Sequence, residues 1–204
     1  MTSRQIHVLQ LLVGEMQNFS YIVHDGKKAV IIDASFGGEL ILRKIKELEL
    51  QAVAILSTHR HFDHNMDNTF LKSRLSIPVL AHRVSPIEKD KEFDDGDELQ
   101  FGDIRLNVLY TPGHTPDSVC FLTNDCIFTG DTLFVGTCGR ADLPESDPKQ
   151  LFASLDRIKH LNPSLIIYSG HDYGSTATST IGKEILENPA LIATTEQEFL
   201  SYIL

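Results

Sequence analysis

The feature that most constrains this chain is a dense cluster of possible metal ligands behind a short apolar segment. Residues 52–56 are all apolar, which is typical of a buried strand. His59, His61, Asp63 and His64 follow within a stretch of six residues. Imidazole and carboxylate groups are the usual ligands of zinc and iron, so this density favours a metal-binding loop over an exposed histidine-rich loop. We expect the fold to present these side chains where the strand ends.

The same arrangement recurs three times further along the chain. Each time a predicted strand is followed by a glycine and then by a histidine or an aspartate. The glycine permits a sharp turn and a close approach of the backbone. The candidate metal ligands are therefore His59, His61, Asp63, His64, His114, Asp131 and His171.

The other histidines lack this context and are predicted to be surface or packing residues: His7, His24, His82 and His160. Asp33 is different, because it ends a predicted strand near the same face of the fold. Carboxylates in such positions often hydrogen-bond a metal-ligating histidine, and Asp33 is a candidate for that role.

Composition excludes several classes of function. A length of 204 residues suits one domain, 1–204, whose core needs no structural metal. A net charge of -10 gives no electrostatic reason to bind nucleic acid or an anionic membrane. No apolar run reaches the roughly 18 residues of a membrane span, and no signal peptide is recognisable, so a cytoplasmic location is expected. The 3 cysteines, an odd number without a Cys-x-x-Cys pair, argue against a disulfide framework.

The pattern of apolar residues predicts many strands and a few helices. Strands are expected at 20–23, 29–33, 52–56, 77–81, 99–110 as a hairpin, 118–122, 126–128 and 165–168. Helices are expected at 39–48 and 148–161, with a C-terminal helix from about Ile181, and the acidic stretch 88–98 is expected to be a solvated loop. This order predicts packed sheets with helices on their outer faces.

The block 58–64, Thr-His-Arg-His-Phe-Asp-His, resembles the signature of the metallo-β-lactamase superfamily. The resemblance covers nearly the whole chain and implies an α+β fold, an αββα sandwich with its metals at one edge of the sheets. Asp67 and Asp117 depart from the common form, in which glycine is usual at both positions. The resemblance also implies two ligand groups with a bridging aspartate between them: His59, His61 and His114; Asp63, His64 and His171; and Asp131.

Two later blocks resemble the glutathione-linked branches of this superfamily. Residues 136–142, Gly-Thr-Cys-Gly-Arg-Ala-Asp, are similar to a block found in persulfide dioxygenases and in glyoxalase II-type hydrolases. Residues 171–173, His-Asp-Tyr, and the block 179–189 resemble the persulfide dioxygenase form, although 179–189 also fits an ordinary capped helix start. Glyoxalase II usually has His-Glu-Tyr and a further C-terminal domain, for which a chain ending at Leu204 leaves no room.

The resemblance leaves two reactions open, and both act on a small thiol derivative. The preferred one is oxidation of a glutathione-type persulfide to sulfite with one Fe(II) ion, which His59, His114 and Asp131 would hold. The alternative is hydrolysis of a glutathione thioester with two Zn(II) ions or a mixed zinc–iron pair. The complete second ligand group and residues 132–134, Thr-Leu-Phe, favour this alternative. The sequence leaves open whether the protein forms a homodimer. A non-catalytic module is disfavoured, because all seven candidate metal ligands are present.

Three residues are predicted to serve catalysis, namely Asp63, Arg140 and Tyr173. Arg140 is a candidate clamp for a substrate carboxylate, since a guanidinium group binds carboxylates in a bidentate manner. The alternative is that Arg140 pairs with Asp142 and holds its own loop. Tyr173 is expected to offer its hydroxyl group to the substrate.

Overall fold

The computed structural model describes residues 5–203, which form two six-stranded sheets and a two-stranded ribbon. The first sheet contains, in spatial order, β1 (His7–Val13), β2 (Asn18–His24), β3 (Lys28–Ile32), β4 (Gln51–Leu56), β5 (Val79–His82) and β6 (Lys91–Phe93). The second contains β7 (Glu98–Phe101), β8 (Ile104–Tyr110), β9 (Val119–Leu122), β10 (Cys126–Gly130), β13 (Ile166–Ser169) and β14 (Ser179–Thr180), in the order β14-β13-β10-β9-β8-β7. The ribbon joins β11 (Leu133–Phe134) and β12 (Thr137–Cys138).

Helices cover the outer face of each sheet. The helices are α1 (Gly38–Glu47), α2 (Phe62–Asn65), α3 (Asn68–Leu75), α4 (Pro148–Lys159), α5 (Ile181–Glu187), α6 (Pro189–Ile192) and α7 (Glu196–Ile203). Apolar side chains of α1 and α3 share a core with the first sheet, and those of α4 to α7 share one with the second. No helix among residues 5–203 is long and apolar enough to cross a membrane.

Alternation along the strands separates the layers. Tyr21 and Val23 of β2 point into the core between the sheets, whereas Ile22 belongs to the core under α1 and α3. In β10, Phe128 faces the other sheet and Ile127 faces the second helix layer. Successive side chains of a strand point to opposite faces, so each sheet is buried on both sides. The predicted αββα sandwich is confirmed.

Most predicted elements are confirmed, with shifted ends, but two predictions need correction, and β1, α2, α3, β11, β12 and β14 were not predicted. The sequence analysis missed β1, in which only some positions are apolar and buried. The acidic stretch 88–98 is not entirely a loop, because it contains β6, which pairs with β5. The C-terminal helix is divided into α5, α6 and α7, because Pro189 cannot continue α5 and the Asn188 side chain caps α6 instead.

The cysteines are free, and burial raises the pKa of Cys120 to about 12.

Asp67 has a structural role that explains its departure from glycine. Helix α1 has no hydrogen-bonding cap in its own N-terminal residue, Gly37. The Asp67 carboxylate, which lies in the α2–α3 connection, accepts a hydrogen bond of 2.7 Å from the Gly38 backbone N–H. It therefore caps α1 from a distant part of the sequence and places a negative charge at the positive end of the helix.

Replacing Asp67 with alanine is expected to lower the free energy of unfolding by about 1 kcal/mol, because the cap is lost. The Asp67→Asn variant keeps an oxygen acceptor and serves as the control. Urea unfolding followed by circular dichroism measures both. Equal losses in the two variants, or none in Asp67→Ala, would show that Asp67 is not a cap.

Candidate metal centre

The seven candidate ligands lie together where strands of both sheets end. One group consists of His59, His61, His114 and Asp131, and the other of Asp63, His64 and His171, with the ligating atoms of each group within 4.8 Å of one another. Six of the seven are buried, and His61 is half-buried. The two groups therefore match those that the family resemblance implies.

The Asp131 side chain lies between the groups. Its Oδ2 atom is 3.5 Å from Nε2 of His114 and 3.4 Å from Nε2 of His171. Its Oδ1 atom is 3.3 Å from Nε2 of His64 but has no hydrogen-bond partner of acceptable geometry and is buried. A carboxylate in this position is suited to contact ions in both groups.

The loop after β4 is shaped by Asn65, which the sequence analysis did not single out. Its amide group donates hydrogen bonds to the backbone carbonyls of His59, at 2.7 Å, and His61, at 2.8 Å. The Asn65 carbonyl oxygen accepts one from Ser57, at 2.6 Å. These bonds fold the loop back on the end of β4, so that α2 can begin immediately after His61.

Backbone carbonyls orient two of the imidazole rings. His114 donates from Nδ1 to the carbonyl of Arg140, at 2.8 Å, and His171 donates from Nδ1 to the carbonyl of Met16, at 2.9 Å. A carbonyl cannot donate, so each Nδ1 carries a proton, and in its neutral form each ring turns an Nε2 lone pair toward the centre. This is the form in which imidazole binds a metal.

Asp33 orients a third ring, as predicted. Its Oδ2 atom accepts hydrogen bonds from Nδ1 of His64, at 3.0 Å, and from the Thr58 hydroxyl, at 2.7 Å. Since the Thr58 hydroxyl donates to Asp33, it must accept from Nδ1 of His59, 3.0 Å away. Asp33 thereby fixes the Nε2 lone pairs of both His64 and His59 toward the centre.

These tautomers test whether a metal fits, and it does. The Nε2 atoms of His64 and His171 lie 3.2 Å apart, although both rings use their protons on the opposite side. Two lone pairs at this distance repel unless a cation lies beside them. Without a metal, a second proton on one of the rings must supply the positive charge. Burial opposes this protonation, but hydrogen bonds to Asp131 and Asp63 raise the pKa of His171 to about 9.

The electrostatic environment keeps the carboxylates ionised. Burial works against the charge of Asp63, but hydrogen bonding by His171, the proximity of His64 and hydrogen bonding by Asn18 lower its pKa to about 2. Burial likewise opposes the charge of Asp131, yet the positive charge of protonated His64 beside it holds the pKa of that carboxyl well below its usual range. Ionised carboxylates and imidazole lone pairs are the forms that metals bind.

The predicted substrate residues have different surroundings. Arg140 forms a bidentate ion pair with Asp142, with two N–O distances of 2.8 Å, and its side chain is 67% exposed. The structure thus contains the Arg140–Asp142 pair, which was the alternative to a clamp for a substrate carboxylate. The Tyr173 ring stacks on His171 with centroids 4.5 Å apart. Burial and the charges of Asp131 and Asp63 raise the pKa of Tyr173, so its hydroxyl stays protonated.

Some residues near the centre carry no recognisable local sequence signal. The buried Asn18 amide donates to Oδ2 of Asp63, at 2.8 Å. Neither carboxylate oxygen of the buried Asp117 has a hydrogen-bond partner among the described residues, and nothing in the structure explains this departure from glycine. The other histidines are surface or packing residues, as predicted: His7 and His24 stack on each other, His82 stacks on Tyr110, and His160 is exposed.

Comparisons with known proteins agree with this geometry. A sequence model of the metallo-β-lactamase superfamily matches residues 13–88 and 82–171. The chain belongs to this superfamily and is an enzyme of the metallo-β-lactamase fold with a metal cofactor.

Three relatives show which branches it resembles. The mitochondrial persulfide dioxygenase ETHE1 of Homo sapiens is 34% identical over 186 residues, which cover 88% of this chain and 73% of that protein. The hydroxyacylglutathione hydrolase GloC of Haemophilus influenzae is 33% identical over 202 residues, covering 86% of this chain and 92% of that protein. The crystal structure of ETHE1 from Myxococcus xanthus superposes with a TM-score of 0.91 at 31% identity, covering 97% of this chain and 89% of that one.

The Asp33→Asn variant is expected to lower metal affinity by roughly 10- to 100-fold, because both Asp33 oxygens accept hydrogen bonds and the amide would turn an NH2 group toward one of these donors. Asparagine tolerates the positive φ of 53° at this position, so the backbone stays unstrained. Competition with a chelator measures the affinity. Asp156→Asn, beside the exposed His160, is the matched control. An Asp33→Asn protein that binds metal as tightly as the parent would contradict this role.

Proposed function

We propose that this enzyme oxidises a low-molecular-weight persulfide of the glutathione type to sulfite, with one Fe(II) ion held by His59, His114 and Asp131. One persulfide, one dioxygen and one water give one thiol, one sulfite and two protons. The terminal sulfur atom loses four electrons, and dioxygen accepts them. The proposal treats residues 1–204 as one domain, since both sheets contribute ligands to the same centre.

The observation that carries this proposal is the block 179–189, which resembles the persulfide dioxygenase form. In the structure this block is attached to the loop of Arg140, because Glu184 and Asn188 hydrogen-bond the β11–β12 ribbon that leads to it. The likeness to ETHE1 along nearly the whole chain supports the same reaction.

The residues around the centre have distinct tasks in this reaction. Two histidines and one carboxylate leave open positions on iron, which supplies the electron transfer between persulfide sulfur and dioxygen when it is bound. Asp63 keeps its charge and orients the water that the reaction consumes. Tyr173 donates its hydroxyl proton in a hydrogen bond to the substrate. Arg140 exchanges Asp142 for a substrate carboxylate, because an exposed ion pair of this kind is weak.

Hydrolysis of a glutathione thioester is the second candidate, and one observation favours it. Asp131 contacts both ligand groups, and the second group is complete and buried. Two zinc ions would supply a polarising Lewis acid and an activated hydroxide there. The similarity to the hydrolase GloC supports this candidate.

Metal analysis of the natively loaded protein, combined with two assays, separates the candidates. We expect about one iron ion per chain, oxygen uptake with glutathione persulfide, and no cleavage of S-lactoylglutathione. His114→Ala is expected to lose the iron, whereas His171→Ala retains it, and His160→Ala on the surface is the control. The hydrolase would be established instead if the native protein holds two zinc ions that both variants lose, cleaves the thioester and takes up no oxygen.

A further inference from the structure

A buried carboxylate lies outside the candidate metal centre and is fully hydrogen-bonded. Glu184, in the first turn of α5, is only 1% exposed. Its Oε1 atom accepts from the Ser179 hydroxyl, at 2.5 Å, and its Oε2 atom accepts from the Gly136 backbone N–H, at 2.7 Å, and from the Asn188 amide, at 2.9 Å. Burying a carboxyl group is costly unless hydrogen-bond partners surround it, so this arrangement is a specific one.

Glu184 and Asn188 together hold the β11–β12 ribbon. Gly136 forms the tip of the ribbon with a φ of 80°, a conformation that favours glycine. The Asn188 amide, which Glu184 orients, also donates to the carbonyls of Phe134, at 3.2 Å, and Thr137, at 3.0 Å. Both strands and the tip are therefore anchored to the start and the end of α5.

The ribbon leads directly to the candidate metal centre. Strand β12 ends at Cys138 and is followed by Gly139 and Arg140, whose carbonyl accepts the Nδ1 proton of His114. This segment approaches the centre so closely that only glycine fits, since a Cβ atom on Gly139 would lie 1.9 Å from the Asp131 carbonyl oxygen and 3.0 Å from Nδ1 of His114. The position of the ribbon thus sets the position of the acceptor that orients His114.

We propose that Glu184 is a positioning residue for the first ligand group, acting through the ribbon and the Arg140 carbonyl on His114. The proposal rests on the metal-binding part of the proposed function and not on which reaction follows. It explains why the blocks 136–142 and 179–189 occur together in this chain, because hydrogen bonds join them into one unit. The rings of the second group donate their outer hydrogen bonds to Asp33 and Met16 instead, and the ribbon touches that group only through the edge-on contact of Phe134 with His171.

Cobalt(II) substitution tests this with a readout that does not depend on catalysis. In proton NMR spectra the ring N–H protons of cobalt-bound histidines give shifted resonances, whose exchange with solvent reports the outer hydrogen bond of each ring. Single His→Gln variants assign the resonances. In Glu184→Gln we expect faster exchange of the His114 Nδ1 proton and roughly tenfold weaker cobalt binding by the first group. The His64 proton, which Asp33 holds, should exchange as in the parent protein, and the His171 proton should change less than that of His114.

Glu187→Gln is the matched control, because Glu187 lies on the same helix, is exposed and pairs with Lys183, at 3.8 Å. Ser179→Ala removes one of the three donors to Glu184 and should give a smaller change of the same kind, which keeps the test decisive if Glu184→Gln does not fold. Unchanged exchange at His114 in a folded variant would overturn the proposal. Equal acceleration at all three histidines would also overturn it, because it would indicate general loosening. A protein that binds no cobalt at all would instead reject the metal centre.

Discussion

Repulsion between imidazole lone pairs is the constraint on which this site depends. His59 and His114 both direct Nε2 toward Nδ1 of His61, at 3.1 and 3.0 Å, and His61 can donate to only one of them. Nε2 of His64 and Nε2 of His171 face each other at 3.2 Å, while the Nδ1 protons of both rings are used on the opposite side. Such an arrangement is stable only with positive charge inside it, and the ionised carboxylates of the two groups attract that charge. The fold therefore builds a site for cations at the cost of its own metal-free stability.

The outer hydrogen bonds connect this small volume to distant parts of the fold. Met16 lies in the turn between β1 and β2, Asp33 follows β3, and Arg140 follows the ribbon. Each accepts a proton from a different ring and fixes the tautomer of that ring. Both sheets and the second helix layer thus contribute to the same geometry, and a substitution remote from the centre is able to alter one ligand group without the other.

The sequence predicted which side chains gather at the candidate metal centre because their signal is local. His59, His61, Asp63 and His64 are ligand types that follow an apolar strand at close spacing, and a family signature spans them. The layers were predictable from alternating and helical apolar patterns. By contrast, the outer partners are mostly backbone carbonyls or residues such as Asn18, whose role arises only when the chain closes on itself. Glu184 is similar, since the block 179–189 fits both a family resemblance and an ordinary capped helix start, and only the buried contacts of Glu184 distinguish its role.

Crystallography of the protein as purified from iron- and zinc-supplemented cells, with anomalous data at both absorption edges, tests the central claim most directly. The account predicts an ion whose distances to Nε2 of His59 and Nε2 of His114 are about 2.0–2.2 Å, with Asp131 in contact with it. Anomalous density elsewhere on the protein and none between His59, His114 and Asp131 would contradict it.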